Sequence, residues 1–332
     1  MTLKELAVAI GAEVVGDGSI EIESVNTLDA AGPGEISFLA NVRYNKQLET
    51  TGASAVIVAP NVRAGGIALL RHKNPYYAFS QAVVKLHGYR KQHQSGIHPR
   101  ANIDPVATIG ENTIVYPGVY VGPRTKIGRD CILYPNVVIY EDCIIGDRVI
   151  IHANASIGQD GYGFAPAKNA GGEVIHHKIP QIGNVVIEDD VEIGANATVD
   201  RAALGSTIIG KGSKLGDLVT VGHNARLGPG CLLVPQVGIS GSTTLGHHVT
   251  MGGQSAVAGH LKIGNGVSIA GQAGVIEDAE DNTILIGAPA MPGSQARRVY
   301  AIFRNLPELV ARVKKLEEGG SASAEAEPTA EA

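Results

Sequence analysis

Residues 127–145 read Ile127-Gly128-Arg129-Asp130-Cys131-Ile132-Leu133-Tyr134-Pro135-Asn136-Val137-Val138-Ile139-Tyr140-Glu141-Asp142-Cys143-Ile144-Ile145. Ile127, Leu133, Ile139 and Ile145 stand six residues apart. The rule extends back through Val121, Val115, Ile109 and Ile103 and forward to Ile151 and Ile157, ten positions without a break. It resumes at Ile187, Ile193 and Val199, slips by four residues around 201–206, and then runs from Ile209 to Val275. Helices repeat every 3.6 residues and strands every 2, so neither carries a period of six. A parallel β-helix does. Each unit is a short strand plus a corner, and three units close an 18-residue coil whose apolar residues stack inward. Glycine follows many of these residues, as in Ile109-Gly110, Ile127-Gly128, Ile145-Gly146 and Ile193-Gly194, and glycine or a small polar residue is expected to ease the corners. The period alone leaves the handedness open.

Composition agrees. The 332 residues include 43 Gly, four Phe and no Trp, which excludes a helical bundle with an aromatic core. Net charge is −5, and no basic block is long enough to track a nucleic-acid backbone. Cys131, Cys143 and Cys231 lack metal-ligand spacing, so neither a bound metal nor a disulfide framework is expected. The first residues carry no signal-peptide pattern and no stretch reaches the ~18 apolar residues of a membrane span, so the expectation is a soluble cytoplasmic protein.

Four regions flank or interrupt the repeat. Residues 1–98 read as a separate α/β domain, with helices over 2–10 and 75–87 and a buried strand over 53–58. Residues 99–288 form the β-helix, and 158–182 break its period as an insertion that holds His176 and His177. The insertion is read as functional, walling off a site against a neighbouring subunit, in preference to a solvated loop. Pro289 and Pro292 end the repeat, and 289–318 carry C-terminal helices broken at Pro307. Their stripe of Val299, Ile302, Phe303, Leu306, Leu309, Val310, Val313 and Leu316 needs covering by the end of the β-helix or by symmetry mates. Residues 319–332 read as a disordered tail.

Motifs beyond the hexapeptides are more specific. Val221-Gly222-His223-Asn224, Gln236-Val237-Gly238-Ile239-Ser240-Gly241-Ser242 and Val257-Ala258-Gly259-His260-Leu261-Lys262 resemble the UDP-3-O-acylglucosamine N-acyltransferase family of lipid A synthesis. So do Asp160-Gly161-Tyr162-Gly163-Phe164-Ala165, Lys178-Ile179-Pro180-Gln181 and, in the first domain, Ile36-Ser37-Phe38-Leu39-Ala40-Asn41 with Tyr44. The resemblance covers nearly the whole chain. It implies a mainly β fold: a left-handed parallel β-helix with a small N-terminal uridine-binding α/β domain and C-terminal helices. It also implies a homotrimer with sites between subunits. The reaction it implies moves a 3-hydroxyacyl group from acyl carrier protein to the 2-amine of UDP-3-O-acylglucosamine. His223 is then the general base with His260 in the same site. Phe38 and Tyr44 sandwich the uracil, Asn41 bonds its edge, and Asn224 contacts substrate. No cofactor stays bound; 4'-phosphopantetheine arrives on the carrier protein.

Spacing adds an independent argument. Gly241 lies 18 residues after His223, and Gly259 18 after Gly241, so His223, Gly241 and the Gly259-His260 pair line one corner column. Stacked coils are about 4.8 Å apart. A base one coil below an open backbone N–H is what acyl transfer needs: the base takes the amine proton, and the N–H of Gly241 faces the oxyanion. An acidic carrier protein calls for a basic dock, and Arg297, Arg298, Arg304, Arg312, Lys314 and Lys315 are the candidates. His247 and His248 read as surface residues.

Departures from the family pattern keep alternatives open. Gly216-Asp217 stand where Asp-Asn is common seven residues before the histidine, and Asp200-Arg201-Ala202-Ala203-Leu204-Gly205-Ser206 replace a more acidic run. Acylation of a different UDP-amino sugar, or a non-catalytic sugar-nucleotide-binding scaffold, are the competing readings. O-acylation of UDP-N-acetylglucosamine is disfavoured by the separate first domain. A γ-class carbonic anhydrase needs three histidine ligands, which His223, His247 and His260 do not supply in one subunit.

Overall fold

A computed structural model describes residues 1–324 apart from Pro289. The chain divides into two compact units, Met1–His93 and Gln94 onward.

The first unit is a five-stranded sheet carrying two helices. Its strands are β1 (Glu13–Val15), β2 (Ser24–Val25), β3 (Glu35–Leu39), β4 (Ala55–Val58) and β5 (Ala68–Arg71), in spatial order β1-β5-β4-β3-β2. β1 runs antiparallel and the other neighbours pair parallel. Helix α1 (Leu3–Ile10) starts where expected, because Thr2 and Glu5 form a reciprocal capping box, and it stops at Gly11 in the left-handed region. Helix α2 (Pro75–His87) is capped by Asn74 with Pro75 at its first position. β4 alternates its side chains between two cores. Ala55 and Ile57 join Leu3, Leu6, Ile36 and Leu70, whereas Val56 and Val58 join Leu28, Leu39 and Leu69.

The second unit is a parallel β-helix of two-residue strands, stacked into three sheets of eight, nine and nine strands. Registers such as Ile127↔Ile145 and Leu133↔Ile151 show the 18-residue coil, and every strand rung places the sixth-position residue inward. The residue two before it is also buried, so each unit drives two side chains into the core: Cys131 with Leu133, Val137 with Ile139, Cys143 with Ile145. The three cysteines are therefore small core residues, each free and buried, and burial pushes the Cys143 thiol up to about 11.

The corners turn mainly on the small polar residues and not on the glycines that follow the inward positions. The chain enters the left-handed region three residues after the inward one, at Asp130 (φ 56°), Asn136 (φ 62°), Asp142 (φ 62°) and Arg148 (φ 56°). Asn and Asp tolerate that region best among residues with a Cβ. The glycines after the inward residues serve close approach instead: a Cβ on Gly146 would lie 2.7 Å from the Asp189 nitrogen in the next coil.

Three departures from 18 occur. Ile145 pairs with Ile187 across 42 residues, which is the insertion. Ile187 pairs with Ile209 across 22, the expected four-residue slip. The last rung closes in 16, at Ile269↔Leu285. The insertion is a hairpin, Phe164–Lys168 paired antiparallel with Val174–Lys178, exposed along its whole length.

Helices α3 (Gly293–Arg304) and α4 (Leu306–Ala324) follow. The break falls at Asn305, and Pro307 sits in the first turn of α4, where its missing N–H costs nothing. α4 continues to Ala324, six residues into the segment expected to be disordered; residues 325–332, like Pro289, lie outside the described residues. Among the described residues no helix is long and apolar enough to cross a membrane.

Candidate active site

His223 follows the Thr220–Val221 strand, and the register Val221↔Ile239↔Val257 stacks Gly241 and Gly259 above it in successive coils. Ser242 N–H donates to the His223 carbonyl at 2.8 Å, and His260 N–H to the Gly241 carbonyl at 3.2 Å. The imidazole is held between two glycines. A Cβ on Gly241 would lie 2.6 Å from His223 Nε2, and one on Gly161, at the base of the insertion, 2.8 Å from His223 Cβ. Only glycine leaves room for the ring on either side. The insertion thus touches the histidine of its own chain, and the Lys178–Asp160 ion pair at 3.0 Å ties the two sides of the insertion together below the hairpin.

Asn224 sets the histidine tautomer. Its Oδ1 accepts from Ala203 N–H at 2.9 Å, and its Nδ2 donates to the Leu204 carbonyl at 2.8 Å. Flipping the amide would oppose donor to donor and acceptor to acceptor, so the orientation is determined by its partners. His223 Nδ1, 3.2 Å from that same oxygen, must therefore donate. The ring's lone pair is then on Nε2, the atom beside Gly241. Asn224, expected to contact substrate, has its side chain bonded to the loop at 203–204 and to His223, where it orients the imidazole.

The Gly241 N–H makes no hydrogen bond among the described residues. His260 is exposed, with φ 65°, two coils above His223 in the column of Asn224 and Ser242. No hydrogen bond joins it to His223 among the described residues.

Asp200 stands one coil before Gly222, its N–H donating to the Val221 carbonyl at 2.9 Å. It is half-buried. Gln159 Nε2 donates to its Oδ1 at 2.7 Å, and Ser156 donates to Gln159 Oε1 at 2.9 Å. Burial raises the Asp200 carboxyl above the ordinary aspartate value. The Gln159 hydrogen bond and the nearby His223 oppose that rise, Asp160 adds to it, and Lys178 opposes it. Neighbouring Arg201 is buried and faces elsewhere, donating to the Gly158 carbonyl at 2.7 Å and pairing with Glu141 at 2.8 Å. Gly161, Gln159 and Asp200 were not singled out from the sequence as site residues. The 22-residue spacing of Asp200 from Gly222 equals the interrupted coil and was the available signal.

Gly216-Asp217 lie on another face, after the Lys214–Leu215 strand. Asp217 Oδ1 accepts from Ala195 N–H at 2.8 Å, capping the coil below. In this chain the pair does not orient His223. It lines a groove of about 410 Å³ with His152, Glu192 and Val234.

In the first unit, Phe38, Asn41 and Tyr44 line one cavity of about 480 Å³, together with Asp29, Gln47 and Tyr76. One face of Phe38 is stacked on Phe79 at 4.1 Å, and Tyr76 is tilted against it at 5.6 Å. Asn41 Oδ1 caps the short 3-10 helix Val42–Glu49 through Arg43 N–H at 3.0 Å, which fixes the orientation of its amide at the cavity. Tyr76 was missed because the sequence places it on the first turn of α2, 32 residues beyond Tyr44.

Residues 19–84 match the UDP-3-O-(3-hydroxymyristoyl) glucosamine N-acyltransferase family model, and residues 124–159 the bacterial transferase hexapeptide repeat. A UDP-3-O-acylglucosamine N-acyltransferase of Syntrophotalea carbinolica is 49% identical over 95% of this chain and 96% of its own length. Its counterpart in Nitratidesulfovibrio vulgaris is 50% identical over 95% of each. The chain belongs to the UDP-3-O-acylglucosamine N-acyltransferase family. It is an acyltransferase. Among solved structures, the UDP-N-acetylglucosamine acyltransferase of Campylobacter jejuni superposes with TM-score 0.52 at 23% identity over 68% of this chain and 90% of its own, a likeness of fold.

Proposed function

We propose that this acyltransferase moves a 3-hydroxyacyl group from acyl carrier protein to the 2-amine of UDP-3-O-acylglucosamine in lipid A synthesis, with His223 as general base. The observation that carries the mechanism is the fixed tautomer: Asn224 holds Nδ1–H, leaving the Nε2 lone pair beside an unbonded Gly241 N–H. The amine nitrogen attacks the thioester carbonyl. Its proton passes to His223 Nε2 while the oxyanion takes the Gly241 N–H. Collapse breaks the C–S bond, and the pantetheine thiolate leaves with the proton returned by His223. The products are an amide and a free thiol, so the balance needs neither an enzyme nucleophile nor a redox partner. His260, exposed two coils on, is suited to the donor arm or the sugar.

The cavity bearing Phe38, Asn41 and Tyr44 is read as the uracil site. The exposed stripe on α3 and α4, which the β-helix leaves uncovered (Phe303 is 68% exposed, Leu316 74%), supports assembly with symmetry mates, as a homotrimer. Arg297, Arg298, Arg304, Arg312, Lys314 and Lys315 on the same helices are exposed and suit an acidic carrier protein. Such a reaction belongs in the cytoplasm, where the carrier protein is.

The test is transfer from a panel of 3-hydroxyacyl carrier proteins to UDP-3-O-acylglucosamine. His223→Ala is expected to lower kcat by about 10³-fold with folding intact. Full activity in that variant would refute the mechanism, and no transfer by wild type would favour a different UDP-amino sugar.

A further inference from the structure

An attacking amine differs from an attacking hydroxyl in one countable way. It presents two N–H hydrogens and one lone pair, whereas a hydroxyl presents a single hydrogen. A site that holds both amine hydrogens leaves the lone pair one direction in which to point. His223 Nε2 takes one hydrogen, and a second acceptor is then required beside it.

We propose that Asp200 is that second acceptor, a substrate-contacting residue that makes the site selective for an amine over a hydroxyl. Its Oδ1 is held by Gln159 at 2.7 Å, and Gln159 is itself fixed by Ser156 at 2.9 Å. Its Oδ2 has no hydrogen-bond or ion-pair partner among the described residues, yet it is not sealed in the interior. The register sets Asp200 one coil before Gly222, the residue adjoining His223, on the same edge of the prism. No cation competes for it by contact. Lys178 is paired with Asp160 at 3.0 Å, and Arg201 is turned toward Gly158 and Glu141. The edge therefore carries two acceptors of different kinds in neighbouring coils. The imidazole takes up the proton that must leave, and the carboxylate only orients. This assignment rests on the reading of His223 as the base, and it adds the acceptor class to that reading.

The experiment measures equilibrium binding and turnover for two acceptors, UDP-3-O-acylglucosamine and its 2-hydroxyl analogue UDP-3-O-acylglucose, with the full-length enzyme. Binding is measured without acyl donor, so it does not depend on proton transfer to His223. Asp200→Ala is expected to weaken the amine acceptor by about 10- to 100-fold, the range for losing a hydrogen bond to a charged group, and the hydroxyl analogue by less than about 3-fold. The KM for the carrier-protein donor should not change. Asp200→Glu should recover part of the preference, and Asp200→Asn should follow the alanine variant, because an amide oxygen facing Gln159 turns its NH₂ toward the substrate. Thermal melting within a few degrees of wild type secures the fold of each variant. Equal weakening of both acceptors, or none, overturns the proposal. Activity surviving in His223→Ala overturns the base instead, and the binding ratio still judges Asp200 separately.

Discussion

Two edges of the same prism use one corner position in opposite ways. On the edge after Ile127, Ile145, Leu245 and Ile263, the second residue past the inward one has its N–H capped by a side chain from the next coil. Arg129 donates to Asp147 at 3.0 Å, Asp147 to Asp189 at 2.9 Å, His247 to Asn265 at 2.8 Å and Asn265 to Asp281 at 2.6 Å. On the edge after Val221, Ile239 and Val257 the same position is His223, Gly241 and Gly259, and the Gly241 N–H is uncapped among the described residues. The backbone is equivalent; the side chain one coil later differs. A β-helix corner saturates its own donors wherever the next coil supplies Asp or Asn, and a glycine in that place leaves the donor for a ligand. The edge that carries His223 is thus an interruption in a structural ladder.

The comparison can be broken by transplanting the cap. Gly259 occupies, relative to Gly241, the place that Asp147 occupies relative to Arg129. A Cβ there would meet only the Gly241 carbonyl at 3.2 Å and Ser240 Cβ at 3.8 Å, so a side chain fits with slight adjustment. Gly259→Asn is expected to occupy the Gly241 N–H, as Asn265 occupies that of His247. The loss of one oxyanion donor corresponds to about 10²- to 10³-fold in kcat. The melting temperature should hold or rise, because a corner gains the bond its counterparts have. Unchanged kcat in a folded variant would show that the Gly241 N–H takes no part.

The legibility of the two units follows the same logic. The β-helix was readable because one apolar position recurs in every unit, and slips such as the 22-residue coil appear as phase shifts in that series. Its corners were legible in part: the small polar Asp130 takes the left-handed turn, whereas Gly128 and Gly146 signal close approach to the next coil and Arg148 turns without a local signal. The His223–Gly241 column was legible as an 18-residue spacing. Asp200 and Gly161 were hidden because the insertion and the slip displace them from that spacing, so their closeness to His223 depends on tertiary structure. In the first unit the capped helices Leu3–Ile10 and Pro75–His87 carry local signals, but the pocket joins Phe38, Tyr44 and Tyr76 from three different elements.

A smaller effect sharpens the contrast between the units. Phe38 already gives one face to Phe79, so a bound base has the other face together with the exposed rings of Tyr44 and Tyr76, which are 51% and 66% exposed. Tyr44→Ala and Tyr76→Ala are each expected to raise the KM for the UDP-sugar by about 10-fold, the worth of one aromatic stacking contact, with kcat little changed. Dissociation constants for UDP alone should follow. If KM holds in both variants, the nucleotide does not sit in this cavity.

The capped edge carries the smallest prediction, one of stability rather than activity. The Arg148 guanidinium hydrogen-bonds Asp190 at 2.6 Å and holds its carboxyl below the ordinary aspartate value, and Arg124 does the same to Asp142 at 2.7 Å on the edge that carries His223. A carboxyl whose pKa is lower folded than unfolded contributes stability fully above the unfolded value of about 3.9 and loses it as pH falls through the folded value. The melting temperature should therefore be level with respect to these groups above about pH 5 and decline below about pH 4. Both pairs are largely exposed, so the decline attributable to them should amount to a few degrees at most and shrink in high salt. Asp190→Asn and Asp142→Asn together should remove that salt-sensitive part of the acid slope. Asp200 works in the other direction, because burial raises its carboxyl: keeping it charged near neutral pH costs stability, and Asp200→Asn should relieve that cost. One variant set then separates carboxylates that hold the coils together from the one carboxylate that the fold retains at a cost, beside the histidine.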